Sequence, residues 1–273
     1  MDYAAILRER VPSLRLERVV PIETGWDSAV VEVDGEWIFR FPRRAEVVEW
    51  LRHEATLLPE LAPGLPAPIP EFELVVFEEV AFVGYRKLAG DPLAHGAGSA
   101  ALGARLGEFL SALHRFPVGR ARELTGRDGP TERQATIERF REAVLPFLED
   151  GEHRRGEALL DSVGAARFEP SLVHGDLGPE HVLHRDDELT GVLDWSDARV
   201  DDPAIDLAWT LHGTSAPFAE ALLRSYVRAD EGVSERALVF HRLGPWHEVL
   251  YGLDHDRTEL VGSGLDGIRA RLP

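Results

Sequence analysis

Two carboxylates and an imidazole stand close to the ends of short apolar segments between residues 171 and 195. Asp176 follows SLVHG, His181 begins HVLHR, and Asp194 lies near the end of GVLDW. A carboxylate at a strand end can accept a proton from a hydroxyl group. A second carboxylate and another side-chain ligand can hold magnesium on the phosphates of a nucleotide. The spacing therefore predicts a site of phosphoryl transfer, at which the three side chains converge.

A structural role is the alternative for each of these residues. His174 and Asp176 could do no more than hydrogen-bond a turn, and Asp194 could cap a strand. A motif is a hypothesis until its structural context supports it. The ordered spacing of the segments, with the acidic residues 186–188 between the last two, favours the catalytic interpretation.

The composition restricts the chemistry. The chain of 273 residues has no cysteine, which excludes disulfides, thiolate metal sites and a cysteine nucleophile. Lys87 is the only lysine and follows an arginine, which excludes a Walker A phosphate loop, so we expect arginine to bind any phosphate. The formal net charge of −18 disfavours nucleic acid and favours a cationic small molecule, although an acidic surface that serves solubility also explains it.

Neither a signal peptide nor a membrane span is indicated. The first residues, MDYAAILRERVPSL, are charged throughout and lack an apolar core. No apolar run is long enough to cross a bilayer. We expect a cytoplasmic protein, a monomer or weak dimer, with neither a membrane nor a nucleic-acid partner.

The hydropathy pattern of the first 89 residues indicates a small sheet. Residues 19–42 alternate apolar and polar side chains around Asp34-Gly35, which predicts a three-stranded meander with a tight hairpin. Residues 45–61 have helical spacing, and FELVVFEE and VAFVGYRKL read as two more strands. Residues 1–89 are therefore expected to form a sheet with one helix.

The remaining residues are predicted to be mainly helical. Residues 102–113 carry an apolar stripe at helical spacing, and residues 131–163 form a charged helical stretch. The segments SLVHGD, HVLHR and GVLDW interrupt this part as strands, and helix resumes from Ile205 to the C-terminus. Residues 90–103 are expected to form a flexible joint.

The segments HGDLGPEHVL and GVLDWSDARVDDPAIDLAW resemble the catalytic and metal-binding loops of the aminoglycoside phosphotransferase family. The resemblance also covers EWIFRFPRR, LPAPIPEFELVVFEEVAFVGYRKLAGDPL and WHEVLYGL. It is closest to the 2''-phosphotransferase branch, with the macrolide phosphotransferases next. It implies an α+β, bilobal protein-kinase-like fold, with a nucleotide-binding lobe and hinge at residues 1–89 and a helical catalytic and acceptor-binding lobe at residues 90–273.

The resemblance implies a role for each residue of the catalytic motif. Asp176 is the expected catalytic aspartate and Asp194 the magnesium ligand. His181 stands where most kinases have asparagine, and because magnesium disfavours imidazole nitrogen, we expect His181 to hold the metal through water. His174 and Asp206 are expected to support the catalytic loop.

The resemblance also implies how the donor phosphates are bound. Arg40 replaces the kinase lysine that reaches the α- and β-phosphates, and Glu54 is its expected partner. An ordinary ion pair between a strand and a helix is the alternative for these two residues. Residues 24–28, with Trp26 and Ser28, are expected to lie over the phosphates, although this loop has one glycine rather than three.

The hinge is expected at Tyr85, Arg86 and Leu88, where main-chain groups pair with the purine base. Both ATP and GTP can meet a hinge made of main-chain groups. The sequence therefore predicts magnesium and a purine nucleoside triphosphate, and leaves the base open.

The acceptor is expected to bind against the helical lobe, beside Asp176. Carboxylates there would pair with ammonium groups of an aminoglycoside, whereas a macrolide would need fewer acids and a broader apolar wall. Alternatively, the aromatic candidates belong to the core and the acids line a solvated helix face. The candidate contacts are Asp197, Trp246, Glu248, Tyr251, Asp254 and Asp256.

The sequence thus predicts a magnesium-dependent kinase that transfers the γ-phosphoryl group of ATP or GTP to a hydroxyl of an aminoglycoside and inactivates it. A macrolide 2'-phosphotransferase, or a kinase of another small hydroxylated metabolite, shares the same motifs. A non-catalytic module of kinase shape is a further alternative, which the presence of both Asp176 and Asp194 disfavours.

Overall fold

A computed structural model describes residues 1–22, 27–165, 167–228 and 230–273. The described strands are β1 Val19–Ile22, β2 Ser28–Val33, β3 Trp37–Pro42, β4 Phe72–Val76, β5 Phe82–Arg86, β6 Asp91–Pro92, β7 Ser171–Val173, β8 Val182–Arg185, β9 Glu188–Val192 and β10 Arg199–Asp201. The described helices are α1 Tyr3–Arg10, α2 Ala45–Leu61, α3 Ala100–Leu113, α4 Val118–Thr125, α5 Gly129–Arg139, α6 Asp150–Ala165, α7 Ala204–His212, α8 Ala216–Ser225, α9 Val233–Asp254 and α10 Thr258–Arg271.

The chain forms two compact units. The N-terminal unit contains Met1–Leu93 and Glu180–Asp197, and the C-terminal unit contains Ala94–Pro179 and Ala198–Pro273. Residues 180–197 belong to the N-terminal unit because β8 pairs with β6, a pairing that the sequence analysis did not predict. The functional boundary after residue 89 stays a prediction.

The sheet of the N-terminal unit has five antiparallel strands in the order β1-β2-β3-β5-β4. The predicted meander is confirmed, with Val33 opposite Trp37 across the hairpin. Asp34 and Gly35 have φ values of 54° and 73°, a left-handed conformation that aspartate and glycine tolerate better than most residues.

Apolar packing holds the N-terminal unit together. Helix α2 has the predicted bounds, and its buried side chains recur every three to four residues along one face, with two adjacent leucines at 57 and 58. A second helix, α1, was not predicted; it buries Leu7, and Val11 follows it into the same cluster. The buried cluster against the sheet contains Leu7, Val11, Ala29, Val31, Val33, Trp37, Phe39, Phe41 and Phe82.

Most of the C-terminal unit is helical, as predicted, but its helices are more numerous and shorter. The stretch 131–163 is broken near Pro146, where irregular helical turns separate α5 from α6, because proline lacks the N–H that a continuous helix would use. After residue 203, the described residues form four separate helices, α7 to α10, where the sequence predicted helix to the C-terminus. None of the helices in the described part of the chain is both long and apolar enough to cross a membrane.

Helices α3 and α8 approach closely because α3 presents glycines to its neighbour. A Cβ atom on Gly103 would lie 2.3 Å from the carbonyl oxygen of Phe218, and one on Gly107 would lie 2.4 Å from that of Leu222. Both distances are far below van der Waals contact, so no larger residue fits without moving the helices. Helix α3 ends at Leu113, and the next residue, His114, contacts Asp206, as described below.

Candidate functional site

Four polar side chains form a buried network in the N-terminal unit. Arg40 on β3 donates from Nη1 to Glu54 Oε2 on α2 at 2.8 Å. Its Nη2 donates to Ser196 Oγ at 2.8 Å and to Asp194 Oδ1 at 3.1 Å. Ser196 Oγ also lies 2.8 Å from Glu54 Oε1 and 3.1 Å from Asp194 Oδ1. The predicted partnership of Arg40 with Glu54 is confirmed, and the same guanidinium also binds Asp194.

The network is buried where Arg40 meets Glu54 and is exposed to solvent at Asp194. The side chains of Arg40 and Glu54 are 7% and 1% exposed, whereas that of Asp194 is 45% exposed. Burial alone would lower the pKa of Arg40, but the charges of Glu54 and Asp194 raise it, so the guanidinium stays protonated. Burial raises the pKa of Glu54, against the opposing effects of Arg40 and of the bond from Ser196.

Asp194 and His181 lie together, as the sequence predicted. Asp194 Oδ2 is 3.9 Å from His181 Nε2. The backbone N–H of Leu193 donates to the carbonyl of His181 at 2.8 Å, which joins the two segments beside this pair. Strand β9 ends at Val192, so Asp194 lies in the irregular segment that follows, with a φ of 60°, rather than in the strand. The convergence of Asp176 with this pair stays a prediction.

Asp194 and His181 suit a hard divalent cation. Asp194 supplies carboxylate oxygen, the donor that magnesium prefers, and His181 supplies a nitrogen that is better suited to hold a coordinated water. In the described residues no group of three or more histidine or acidic side chains is arranged to hold a metal. Two side chains fit magnesium on a nucleotide, because this ion keeps several waters and takes substrate phosphates as ligands.

The predicted phosphate loop is only partly visible. Residues 23–26, which include Trp26, lie outside the described residues. Ser28 is the first residue of β2, opposite Pro42 on β3. Its side chain is buried, and its Oγ has no hydrogen-bond partner in the described part of the chain.

The predicted hinge residues differ in their surroundings. Tyr85 is buried in β5 opposite Ile38 of β3, and burial raises the pKa of its phenol. Arg86 is exposed, with its guanidinium 4.0 Å from the centre of the Trp37 ring. Leu88 packs on β9, where a Cβ atom on Gly191 would lie 2.8 Å from it. Their predicted role through main-chain groups stays a prediction.

The loop that carries Asp176, in the C-terminal unit, begins at the end of β7, which pairs with β10. Gly175 has a φ of 88°, a conformation that favours glycine. Asp206, in the first turn of α7, accepts hydrogen bonds from the backbone N–H groups of His174 at 2.8 Å and of Gly175 at 2.9 Å. The predicted support of the loop by Asp206 is confirmed. Asp176, the next residue, is exposed, and its N–H lies 3.4 Å from His174 Nδ1.

Asp206 is itself positioned by His114, which also contacts Tyr226. His114 Nε2 lies 3.0 Å from Asp206 Oδ2, and His114 Nδ1 lies 2.8 Å from the Tyr226 hydroxyl. Burial alone would raise the pKa of Asp206, but the bond from His114, its charge and the N–H of Gly175 lower the pKa overall. The backbone of the loop that carries Asp176 is therefore anchored to an ionised, buried carboxylate.

The start of α7 is fixed by a second set of ion pairs. Asp202 Oδ1 accepts from the backbone N–H of Ala204 at 3.0 Å, which satisfies one of the free donors at the helix start. Arg236 on α9 donates to Asp202 Oδ2 at 2.8 Å, and Arg133 pairs with the buried Asp201. These contacts fix the helix that carries Asp206.

The candidate acceptor residues of α9 do not share one environment. Trp246 is fully buried in the helical core, so it cannot touch an acceptor, and the alternative that it is a core residue is correct. Glu248 accepts from Ser263 Oγ at 2.6 Å, and the ring of Tyr251 stacks on His255 at 4.0 Å. Both are partly exposed, so their role stays a prediction.

The remaining acidic candidates are also distributed. Asp254 accepts two hydrogen bonds from Arg139, at 2.7 and 2.8 Å, so its charge is compensated. Asp256 has a φ of 54° just after α9. Asp197 follows Ser196 in the N-terminal unit and is partly exposed.

Three residues with clear roles were missed by the sequence analysis. Ser196 lies two residues after Asp194, and a small hydroxyl next to a predicted metal ligand is the signal that could have identified it. His114 ends an apolar helical stripe, which marks a buried histidine that needs a partner. Tyr226 has no local signal, because its partner lies 112 residues away.

Sequence comparisons relate the chain to known phosphotransferases. A profile of the phosphotransferase enzyme family, APH, matches residues 18–242. YcbJ of Bacillus subtilis (strain 168), which is described as uncharacterized, is 28% identical over 233 residues, or 75% of this chain and 73% of that protein. Viomycin phosphotransferase of Streptomyces vinaceus is 31% identical over 138 residues, which is 47% of each protein.

Solved structures share the fold of nearly the whole chain. The GDP and kanamycin complex of APH(2")-IIia has a TM-score of 0.88 at 24% identity, covering 98% of this chain and 97% of that chain. Macrolide 2'-phosphotransferase MphH from Brachybacterium faecium has a TM-score of 0.77 at 24% identity, covering 97% and 96%. These similarities confirm the predicted kinase-like α+β fold.

Proposed function

The chain belongs to the phosphotransferase enzyme family, and on this premise we propose that it transfers the γ-phosphoryl group of ATP or GTP to a hydroxyl group of an aminoglycoside. The observation that carries the proposal is the buried network that holds Arg40 against Glu54 and leaves the Asp194 carboxylate half exposed. A structural ion pair needs no such exposed acid. A site for a phosphate-bound cation does.

The proposed reaction assigns a proton acceptor to the C-terminal unit. The acceptor hydroxyl attacks the γ-phosphorus, the bond to the β,γ-bridging oxygen breaks, and the hydroxyl proton passes to Asp176. Asp176 is exposed, and its loop is held by two backbone hydrogen bonds to Asp206. This anchoring supports its role, because a catalytic group must be held within a narrow range of positions.

The N-terminal unit is proposed to bind the donor phosphates. Asp194 would hold magnesium directly and His181 would hold it through water, while Arg40 steadies the phosphate oxygens. When bound, magnesium neutralises the charge that develops on the transferred group. Arginine suits this position because its planar fork can serve the network and still present N–H groups to an oxyanion.

A cationic acceptor is supported by the charge of the chain and by similar structures. The formal net charge of −18 attracts and steers a polyamine. A similar structure is named as a complex with GDP and kanamycin, and another as a complex of gentamicin. On α9, Glu248 and Tyr251 are the partly exposed candidates for contact with this acceptor.

A macrolide is the second candidate acceptor. Macrolide 2'-phosphotransferase type I has a TM-score of 0.78 at 26% identity and covers 98% of this chain and 94% of that chain. The compensation of Asp254 by Arg139 also favours an acceptor with fewer ammonium groups. A different small hydroxylated metabolite is the third candidate.

The proposal is tested by incubating purified protein with one acceptor at a time, with ATP and GTP in separate reactions. The panel contains kanamycin, gentamicin, streptomycin, viomycin and macrolides, and the readouts are nucleoside diphosphate release and the mass of the phosphorylated acceptor. We expect phosphorylation of an aminoglycoside that stops on addition of a chelator. Turnover with macrolides alone would replace the first candidate by the second. No turnover with any of them would refute both.

A further inference from the structure

We infer that the hydroxyl group of Ser196 is a positioning group for cation binding: it holds the Arg40–Glu54 pair in place and thereby keeps Asp194 available to the metal. This inference rests on the proposed function and deepens it. Ser196 itself touches neither the reacting atoms nor, by this proposal, the metal. It acts through the three charged side chains around it.

The hydroxyl group of Ser196 contacts all three of the other members of the network. Its Oγ lies 2.8 Å from Arg40 Nη2, 2.8 Å from Glu54 Oε1 and 3.1 Å from Asp194 Oδ1. A serine hydroxyl can accept from the guanidinium while it donates its single hydrogen. Because two carboxylates compete for that hydrogen, it can serve only one of them at a time.

Glu54 is the acceptor that depends most on this hydrogen. One carboxylate oxygen of Glu54 accepts from Arg40 and the other accepts from Ser196, in a position where the side chain is 1% exposed. A buried acceptor that loses its donor costs more than an exposed one, which turns to water. When a cation occupies Asp194, the hydroxyl hydrogen is therefore expected to point to Glu54.

The hydroxyl group of Ser196 also competes with Asp194 for hydrogen bonds from Arg40. Nη2 of Arg40 donates to both Ser196 Oγ and Asp194 Oδ1, and the bond to Ser196 is the shorter of the two. Without the hydroxyl, Asp194 Oδ1 would be the one of these two acceptors that remains for Nη2 of Arg40. The guanidinium would then compete with the metal for the carboxylate, because both are cations that bind the same oxygens.

The test measures how much magnesium strengthens nucleotide binding. ATP and GTP are titrated separately into the full chain by calorimetry, with no acceptor, once with magnesium and once with a chelator. The ratio of the two dissociation constants reports the metal site without any turnover. For Ser196→Ala we expect this ratio to fall about tenfold, the size of one hydrogen bond to a charged group.

Two further variants separate the hydroxyl from general damage. Ser196→Thr keeps the hydroxyl and is expected to restore the wild-type ratio. Thr190→Val removes a different hydroxyl of the same unit, whose Oγ1 has no hydrogen-bond partner within the described residues, and is expected to leave the ratio unchanged. Thermal unfolding of each variant confirms that it is folded under the conditions of the titration.

The outcomes distinguish the inference from the function on which it rests. A wild-type ratio in Ser196→Ala, or a loss in Ser196→Thr as large as in Ser196→Ala, would overturn the positioning role. A wild-type protein that binds nucleotide equally well with and without magnesium would contradict the proposed metal site itself. A tenfold loss in Ser196→Ala, with Ser196→Thr and Thr190→Val unaffected, supports the inference.

Discussion

The guanidinium of Arg40 and the carboxylate of Glu54 meet at 2.8 Å in the interior of the N-terminal unit, where both side chains are almost fully buried. A buried ion pair adds little net stability, since desolvation of the two charges offsets their attraction. Removing one partner is a different matter, because the other charge is left buried and uncompensated. The pair therefore constrains substitution at both positions.

Arg40→Met is expected to lower the free energy of unfolding by about 3 to 5 kcal/mol, the cost of leaving a buried charge without its partner. Arg40→Lys keeps the charge but cannot bind Glu54, Asp194 and Ser196 with a planar fork, and we expect a loss of about 1 to 3 kcal/mol. Urea denaturation provides the measurement.

The control for these variants is Arg15→Met, in the same unit. Arg15 is 79% exposed and pairs with the exposed Glu17, so its removal is expected to cost less than about 1 kcal/mol. Equal losses for Arg15→Met and Arg40→Met would mean that the buried pair has no special weight.

Asp176→Ala is expected to lower kcat by about a hundredfold or more, because the variant lacks the group that we propose accepts the hydroxyl proton. The measurement is the steady-state rate with saturating nucleotide and an acceptor identified in the panel. Asp266→Ala, which removes an exposed carboxylate on α10, serves as the control and should keep the wild-type kcat. Near wild-type turnover in Asp176→Ala would remove this residue from the mechanism.

The stability of the protein should depend on Asp206 in acid. The pKa of Asp206 is lowered from its ordinary value of 3.8 in the folded chain, so the unfolded chain binds the proton more readily. Its contribution to stability is therefore present above pH 3.8 and is lost as the pH falls through the folded pKa. In Asp206→Asn we expect lower stability at neutral pH and a shallower decline in acid.

Urea unfolding at a series of pH values measures this effect. A parallel decline in Asp206→Asn and the wild type would show that other groups dominate acid unfolding. Because Asp206 also holds the backbone of His174 and Gly175, we expect Asp206→Asn to lower kcat more than it changes the affinity for nucleotide.

The lowered pKa of His241, on α9, predicts a second pH dependence of stability, at higher pH than that of Asp206. Burial lowers its pKa from 6.5 to about 4, and the charges of Arg271, His212 and Arg242 act in the same direction. The unfolded chain then binds more protons below pH 6.5, so this contribution to stability is complete above pH 6.5 and is lost as the pH falls towards 4. His241→Asn is expected to flatten the pH dependence of unfolding in this window.

The control for His241→Asn is His255→Asn, since His255 is exposed at the end of the same helix. Thermal unfolding between pH 4 and pH 7 compares the two variants with the wild type. If both variants follow the wild-type curve, His241 is not the group that titrates.

Gly103→Ala tests the close packing of α3 on α8. The added methyl would lie 2.3 Å from the carbonyl oxygen of Phe218, and overpacking of this kind typically costs about 1 to 3 kcal/mol. Gly119→Ala is the matched control on α4, since its methyl would meet nothing within 4 Å. Alanine is the better helix former, so this control should be neutral or stabilising by up to about 1 kcal/mol.

Local patterns in the sequence were sufficient for much of the fold. The bounds of α2 and the hairpin at Asp34 follow from spacings of a few residues, because helices and tight hairpins are formed by contacts between residues close in the sequence. Patterns near proline were less informative. The break at Pro146 was missed because the polar and apolar periodicity continues across it.

The candidate site also has contacts that were predicted from the sequence and contacts that were not. The ordered spacing of the strand-like segments predicted that His181 would lie near Asp194, and the resemblance of the motifs to a known family implied that Arg40 would meet Glu54. Only the tertiary structure decided that Trp246 is core and that Ser196 joins Arg40, which lies 156 residues away. Burial and contacts across such separations depend on how helices and strands pack, and no local spacing records that packing.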